Sequence, residues 1–415
     1  MNYKDFFKDK KISVVGLGPH GEMTADIKFL LRLGTHISLY DTRSEARLLG
    51  FLPDLIQSGL TDYNLGKISA EDFSGSDLII LSPEISRRAG FLKKATSDGI
   101  RIEFANVLFM KLTPPITLIG IMGSCGKSTV SRMLYGILKQ SFVEYEDQGL
   151  YFIDPDLPNG ALTHLKKIKP GDVVLARITE EMIKEYHAER ISPHVAVITS
   201  PISFDLIKYQ TYNNFIVAPD VVVDAIRDTA GFAPKGKMLR TKNDNASLAI
   251  QTSQLFKVPQ EVAKRITDEF SGLKGRQEFV KKVSGIEFYN DAASVTPSAT
   301  LFALQKFSIE KNIILIFGGA YTGHDYSELI EKIPEYAHAV ILLPGSASLG
   351  FRTEVEALKN IRFLQSPTME DAVVMAKEYG KKGDRVVFSP GCEAIGIHIS
   401  RRERGEKFVK AIRSL

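Results

Sequence analysis

Residues 116–138, ITLIGIMGSCGKSTVSRMLYGIL, constrain the fold more than any other stretch of the chain. An apolar run breaks into Gly123-Ser124-Cys125-Gly126-Lys127-Ser128-Thr129 and then becomes amphipathic. That is a strand, a glycine-rich loop and a helix, a unit that belongs in a parallel sheet covered by helices. The strict phosphate-loop spacing asks for glycine at position 121, where Ile121 stands; Gly120 is one residue early. The shorter pattern G-x-x-G-K-S-T keeps the physics. Gly123 and Gly126 let backbone N–H groups face phosphate oxygens. Lys127 brings a point charge to the outer phosphates, and Ser128 or Thr129 a hydroxyl for Mg²⁺. The helix that starts there adds the positive end of its dipole. Residues 123–129 are therefore expected to bind phosphate. Cys125 reads better as a small side chain in a backbone-driven loop than as a reactive thiol.

Apolar runs alternate with helical patterns almost throughout, so the whole chain reads as α/β. Its 415 residues exceed one core and suggest two to four domains. Motifs divide it into residues 1–111, a Rossmann-like domain; 112–270, a central phosphate-loop domain; and 271–415, a second Rossmann-like domain. In the first block the strand KISVV ends in Gly16-Leu17-Gly18-Pro19-His20-Gly21, and the next strand, ISLY, ends in Asp41-Thr42-Arg43. A G-x-G-x-x-G turn with an acid about 20 residues on is the dinucleotide fingerprint. A tight strand–helix turn without a ligand gives the same pattern. Further strands are expected at 172–176, 194–199, 285–289, 312–317, 339–343 and 385–388, with helices at 245–256 and 258–270.

No run of 18 apolar residues exists, so no membrane span or membrane insertion is expected. The polar start MNYKDFFKDKKIS does not read as a signal peptide. A net charge of +4, spread along the chain, argues against a nucleic-acid surface. Cys125 and Cys392 are distant and lack zinc-site companions, which suggests a reducing, cytoplasmic setting. The isolated His36, His164, His187 and His338 read as surface or satisfied residues.

A dinucleotide-like domain, a GxxGKST domain and a second Rossmann-like domain, in that order, resemble the Mur ligases, the ATP-dependent amide ligases of peptidoglycan precursor synthesis. The resemblance spans essentially the whole chain and is greatest to the branch that adds D-glutamate. GLGPHG with Asp41-Thr42-Arg43 resembles the family's uridine-diphosphate site, and LSPEI (81–85) its Ser-Pro-Gly-Ile loop. FSGLKGRQE, Asn290-Asp291 with Thr296-Pro297, FGGAYTGHDYSEL and FSPGCEAIGIHISRRERGEKF resemble segments of the last domain. The resemblance implies UDP-substrate contacts from Gly18, Pro19, His20, Asp41, Thr42, Arg43, Ser82 and Pro83. It implies ATP contacts from residues 123–129, Asn245, Arg276 and Asp291, and Mg²⁺ ligands Ser128 and Asp205. Lys127 and Asp205 would be catalytic, and Thr322, Ala394 and Arg401 would line the amino-acid pocket. The implied reaction joins the carboxylate of UDP-N-acetylmuramoyl-L-alanine to an amino acid, D-glutamate by family, through an acyl phosphate. It uses ATP and Mg²⁺, in a monomer.

The sequence departs from that pattern where the chemistry sits. Ala176 replaces the family's Mg²⁺-binding glutamate, with Arg177 beside it; Glu180 and Glu181 follow and would serve only with a register change. Asp205 stands for a metal-binding histidine, a hard ligand that suits Mg²⁺. The carbamylated lysine falls near Pro219, and no lysine lies between Lys208 and Lys235. Tyr321-Thr322 replaces an Asp-Lys pair, Val295 a threonine, Ala394 a serine and Arg401 an aromatic. DQGLYFIDPDLPNG, read as irregular, replaces a Gly-Gly-Asn-Ile-Gly loop. Two functions therefore stay open: an active ligase, or a catalytically degenerate homologue that binds nucleotide or UDP-sugar without turnover. A dehydrogenase built on GLGPHG finds no catalytic partner for hydride chemistry in the later blocks.

Overall fold

The structure is a computed structural model that describes residues 2–18, 21–83, 85–142, 148–154, 159–200, 209, 213–227, 235–270, 272–321, 323–394 and 401–415. It divides into two compact units, residues 1–270 and 271–415.

The first unit holds two sheets. One comprises β1 (Lys11–Val15), β2 (His36–Asp41), β3 (Asp62–Leu65), β4 (Leu78–Leu81) and β5 (Arg101–Phe104), in the order β3-β2-β1-β4-β5. All its pairs are parallel. The chain winds outward from β1 to β3, then crosses back to β4. A crevice therefore opens beyond the carboxyl ends of β1 and β4, the ligand position in open α/β sheets. Gly16-Leu17-Gly18 and Ser82-Pro83 leave those two strands there.

The other sheet comprises β6 (Thr117–Met122), β7 (Leu150–Ile153), β8 (Val173–Arg177), β9 (Val195–Ile198), β10 (Phe215–Pro219) and β11 (Lys237–Thr241). Its order is β11-β10-β9-β6-β8-β7, again parallel. The near-continuous apolar strands LIIL (β4) of the first sheet and VVLAR (β8) and VAVI (β9) of this one are buried along their lengths, as strands covered on both faces must be. β6 sits between β8 and β9, so the loop after it opens at the centre of the sheet. β7 corrects the sequence reading: Leu150–Ile153 lies in the stretch expected to be irregular, yet pairs with β8 through Leu150↔Val173 and Ile153↔Ala176. Four apolar residues suffice for an edge strand, and the polar flanks hid it.

One hydrophobic core runs through both sheets of this unit, from Leu39 and Leu81 to Ile198 and Ala218. Polar groups reinforce it. The buried Glu103 accepts hydrogen bonds from Arg101 Nε and Lys111 Nζ, both at 2.8 Å, and lies 3.6 Å from Arg87. Arg87 and Lys111 extend to Glu185 and Glu189, on or next to the helix Glu180–Ala188. Asp26, fully buried on the helix Thr24–Leu31, accepts the N–H groups of Ala161 and Leu162 at 3.2 and 2.8 Å.

The second unit has one sheet: β12 (Glu278–Val283), β13 (Ile286–Asn290), β14 (Ile313–Phe317), β15 (Ala337–Leu342), β16 (Arg362–Gln365) and β17 (Arg385–Phe388). The order is β12-β13-β17-β14-β15-β16, and only β12–β13 is antiparallel. β13, β17 and β14 bring Asp291, Ser389 and Gly318-Gly319 to one carboxyl edge.

Candidate functional site

At the carboxyl edge of the first sheet, Asp41 is buried and both its oxygens are engaged. Oδ2 accepts Leu17 N–H at 3.0 Å and Arg43 Nη2–H at 2.7 Å; Oδ1 accepts the backbone and Nε N–H groups of Arg43, both at 2.9 Å. Burial alone would raise this carboxyl's pKa; the Arg43 and Leu17 hydrogen bonds overcome it and hold the group below the usual range. Asp41 is thus a bracket that fixes the glycine turn and aims Arg43. A dinucleotide site needs this acid for ribose hydroxyls, so the bracket argues against that reading. Ser82 is buried and donates its backbone N–H to Val15 O at 2.9 Å, while Thr42 is exposed and Pro83 half-buried. Gly18, at φ +81°, lies under the Glu22 carboxylate, which a Cβ there would overlap. Pro19 and His20 lie outside the described residues.

The loop after β6 is held from the next strand. Gly123 and Gly126 take φ +137° and +81°, which side chains rarely adopt. Ser200, just past β9, places its Oγ 3.0 Å from Ser124 Oγ and accepts the Cys125 N–H at 3.0 Å. Thr199 Oγ1 donates to Met122 O at 3.1 Å and is also close to Cys125 O. Lys127 opens the helix Lys127–Phe142, and its ammonium rests on the loop carbonyls of Gly123 and Ser124. Ser128 and Thr129 fall in the first helical turn. Asn245, first residue of the helix Asn245–Gln254, turns its Oδ1 toward Gly126. The sequence-predicted Gly123, Ser124, Cys125, Gly126, Lys127, Ser128, Thr129 and Asn245 are therefore together. Thr199 and Ser200 were missed; their signal is a Thr-Ser pair directly after an apolar run.

Beside the loop, β8 carries Ala176 and Arg177 next to β6 through Gly120↔Ala176 and Ile121↔Arg177. Arg177 is buried, and its Nε donates to Asp154 Oδ1, just past β7, at 2.7 Å. Glu180 and Glu181 instead enter the first turn of a helix capped by Thr179. Pro219 ends β10. Asp205 lies outside the described residues. Among the described residues no group of three or more His, Cys, Asp or Glu is placed to hold a metal ion. A cavity of about 40 Å³ near this edge is lined by Glu22, Asp26, Pro83, Asn106, Asp154 and Asn159.

In the second unit, Asp291 follows β13 and is nine-tenths buried or more. It accepts Gln277 N–H at 3.0 Å and Ser389 Oγ–H at 2.8 Å. Burial pushes its pKa up to about 6, against these donors and the charge of Arg276. Arg276 is exposed on the adjoining turn. Ala394 is buried and lines a cavity of about 150 Å³. Arg401 is bound to Glu393 by Nε at 3.0 Å and by Nη2. Thr322 lies outside the described residues. Cys125 and Cys392 are free thiols, exposed and buried respectively; burial pushes Cys392 up to about 11.

Residues 10–103 match the family model "Mur ligase MurD-like, N-terminal domain", and 275–392 match "Mur ligase, glutamate ligase domain". The UDP-N-acetylmuramoylalanine–D-glutamate ligase of Bdellovibrio bacteriovorus is 28% identical, over 99% of this chain and 99% of that protein. The enzyme of the same name from Clostridium botulinum is 25% identical, over 100% and 98%. Among solved structures, UDP-N-acetylmuramate–alanine ligase MurC of Thermotoga maritima superposes with a TM-score of 0.61 at 16% identity, covering 98% of this chain and 99% of that one. MurF ligase of the same organism, in complex with ADP, gives 0.53 at 15% identity, covering 82% and 92%.

Proposed function

Because the chain belongs to the Mur ligase family, we propose that it is an ATP-dependent amide ligase of peptidoglycan precursor synthesis, working in the cytoplasm. Its substrates are UDP-N-acetylmuramoyl-L-alanine and, by kinship with the D-glutamate ligases, D-glutamate. The observation that carries this reading is the loop after β6. It has the two positive-φ glycines, an outside bracket from Thr199 and Ser200, and a lysine parked on loop carbonyls. Such a loop is preorganised for a triphosphate and needs only Lys127 to exchange carbonyls for phosphate oxygens.

The steps follow from charge and proximity. The nucleotide-sugar carboxylate attacks the γ-phosphorus of ATP, an acyl phosphate forms and ADP leaves. The amine of the amino acid attacks the acyl carbon and phosphate leaves, giving the amide. Lys127 and the N–H groups of residues 123–129 stabilise the charge that moves to the β,γ-bridging oxygen. Arg43, aimed by Asp41, faces the diphosphate of the nucleotide sugar, and the bracketed glycine turn sets its height. Asp291, fixed by Gln277 and Ser389, holds the ribose, with Arg276 at the phosphates. Holding the reactants together supplies the rest of the acceleration.

Mg²⁺ fits the loop through Ser128; Asp205, the other expected ligand, lies outside the described residues. The Ser128 hydroxyl would hold the ion from the protein side, and the ion would neutralise charge on the ATP phosphates. A carboxylate-bound second ion has no ligand cluster among the described residues, and β8 presents Arg177 instead. The purified full chain is expected to release ADP and phosphate only when ATP, UDP-N-acetylmuramoyl-L-alanine and D-glutamate are all present. The product mass should equal nucleotide sugar plus glutamate less water. A folded protein that binds ATP but turns over no amino acid would sink the reading and leave a binding protein.

A further inference from the structure

The pair Arg404-Gly405, inside the helix Arg401–Arg413, closes on the turn that carries Asp291. Arg404 is 1% exposed, and its Nη2 donates to Ala292 O at 3.1 Å and to Cys392 O at 3.0 Å. The two carbonyls belong to different loops. Ala292 follows Asp291, just after β13; Cys392 lies three residues past Ser389, after β17. One nitrogen therefore ties the turn of Asp291 to the loop of Ser389, whose Oγ–H bonds the Asp291 carboxylate. The backbone N–H of Asp291 adds a bond to Phe388 O at 2.8 Å. Burying a guanidinium costs more in desolvation than burying an apolar side chain of similar volume, so its presence here is accounted for by the arrangement that it fixes.

Gly405 acts on the same turn by its missing side chain. A Cβ there would lie 3.1 Å from Ala292 Cβ and 3.2 and 3.3 Å from Asn290 Nδ2 and Oδ1. These neighbours cannot swing aside. Asn290 donates from Nδ2 to Glu278 Oε2 at 3.0 Å and accepts Ala292 N–H on Oδ1 at 3.2 Å. Ala292 Cβ rides on backbone that Arg404 holds. Glycine inside a helix is less stable than alanine, so close approach to the turn is what requires it. The turn of Arg276 hangs on the same residues: Gly275 N–H donates to Glu278 Oε2 at 2.8 Å, and Ala293 N–H to Gly275 O at 2.9 Å.

We propose that Arg404 and Gly405 are positioning residues of the nucleotide site, which act through Ala292 and Asn290 and set the height of Asp291 against the nucleotide. The proposal rests on the ligase reading above, in which Asp291 holds the ribose of ATP. It gives the R-G pair of RERGEKF a part in the reaction without contact to any substrate.

Calorimetric titration of ATP into the full chain, without nucleotide sugar or amino acid, reads the position of Asp291 apart from turnover. In Gly405→Ala the neighbours have to give way by a few tenths of an ångström. At ~10²-fold per ångström of misplacement, Kd for ATP is expected to rise roughly 3- to 10-fold. Arg404→Met removes the donors at similar length and is expected to weaken ATP at least as much; should it fail to fold by circular dichroism, Gly405→Ala decides. Ile412→Ala, a buried position two turns along the same helix, is the control. It should lower the melting temperature more than Gly405→Ala does and leave ATP affinity unchanged. In an Asp291→Ala background, Gly405→Ala is expected to cost no further affinity, because it acts through that residue. Unchanged affinity in folded Gly405→Ala, affinity losses that follow melting temperature across the variants, or a full loss added on top of Asp291→Ala would overturn the proposal. A wild type that binds ATP and forms no amide sinks the ligase reading alone; one that binds no ATP sinks both.

Discussion

Replacing Gly123 by alanine tests the phosphate loop where its geometry is most specific. At φ +137° a side chain is strained by about 1–3 kcal/mol. The new Cβ would collide with Thr199 Oγ1 and sit 2.9 Å from the backbone nitrogen of Ser200. Ser200 N belongs to the main chain just beyond β9 and cannot rotate away. Thr199 moves only by giving up its bond to Met122 O, about 1 kcal/mol. The sum is a destabilisation of about 3 kcal/mol centred on the loop. Gly136 supplies the control. It lies inside the helix that the loop feeds, and a Cβ there meets only Ile266 Cγ2 at 3.6 Å. Gly136→Ala is therefore expected to stabilise by about 0.5–1 kcal/mol, the helix preference for alanine. Melting temperature and ATP calorimetry read both variants. Gly123→Ala should melt earlier and bind ATP at least 100-fold more weakly; Gly136→Ala should melt later with ATP affinity unchanged. Wild-type melting and affinity in Gly123→Ala, or equal damage from the two substitutions, would refute the reasoning.

Three further outcomes are expected. Glu103→Ala takes the shared acceptor from Arg101 and leaves Arg87 and Lys111 only Glu185 and Glu189, and should cost about 1–2 kcal/mol by urea unfolding, discounted because the cations keep partial exposure; a loss below about 0.5 kcal/mol would contradict the role given to this cluster. Burial pushes Asp26 up to about pKa 7, despite the N–H groups of Leu162 and Ala161. Its carboxyl binds a proton more tightly folded than unfolded, so it favours the fold most below about pH 4 and loses that advantage as pH rises through about 7; Asp26→Asn should flatten the melting-temperature profile across that window, and an unchanged slope would count against it. Asp291→Ala removes the acceptor for Gln277 N–H and Ser389 Oγ–H and should raise KM for ATP at least 10-fold while KM for the nucleotide sugar stays put; a KM for ATP within twofold of wild type would exclude the proposed ribose contact.

The features legible in the sequence are those carried by backbone and by short spacing. GSCGKST and GLGPHG announce themselves because only glycine tolerates the turn, and the buried strands LIIL, VAVI and IILIF because parallel sheets need apolar runs. The edge strands were harder. Leu150–Ile153 has four residues between polar flanks, and Arg362–Gln365 shows only partial burial. Side-chain pairing across distance was not legible at all. Arg177 looks like a cation set against Mg²⁺, and only the fold brings Asp154, 23 residues earlier, to its Nε. Arg404 was visible as part of R-G-x-x-F, yet nothing in that motif says that its Nη2 ends on the carbonyls of Ala292 and Cys392. Arg401, the arginine that the sequence favoured, is neutralised by Glu393 eight residues away. Ion pairs are decided by the geometry of neighbouring strands and helices, which residue spacing alone does not encode.

The central claim is that residues 123–129 power amide formation with ATP. One measurement addresses it directly: ADP release by the wild type and by Lys127→Ala, with UDP-N-acetylmuramoyl-L-alanine and D-glutamate present or singly omitted. Release is expected to need both co-substrates and to fall at least ~100-fold in the variant. Release that is equal in the two proteins, or no release from folded wild type with any amino acid, would contradict it.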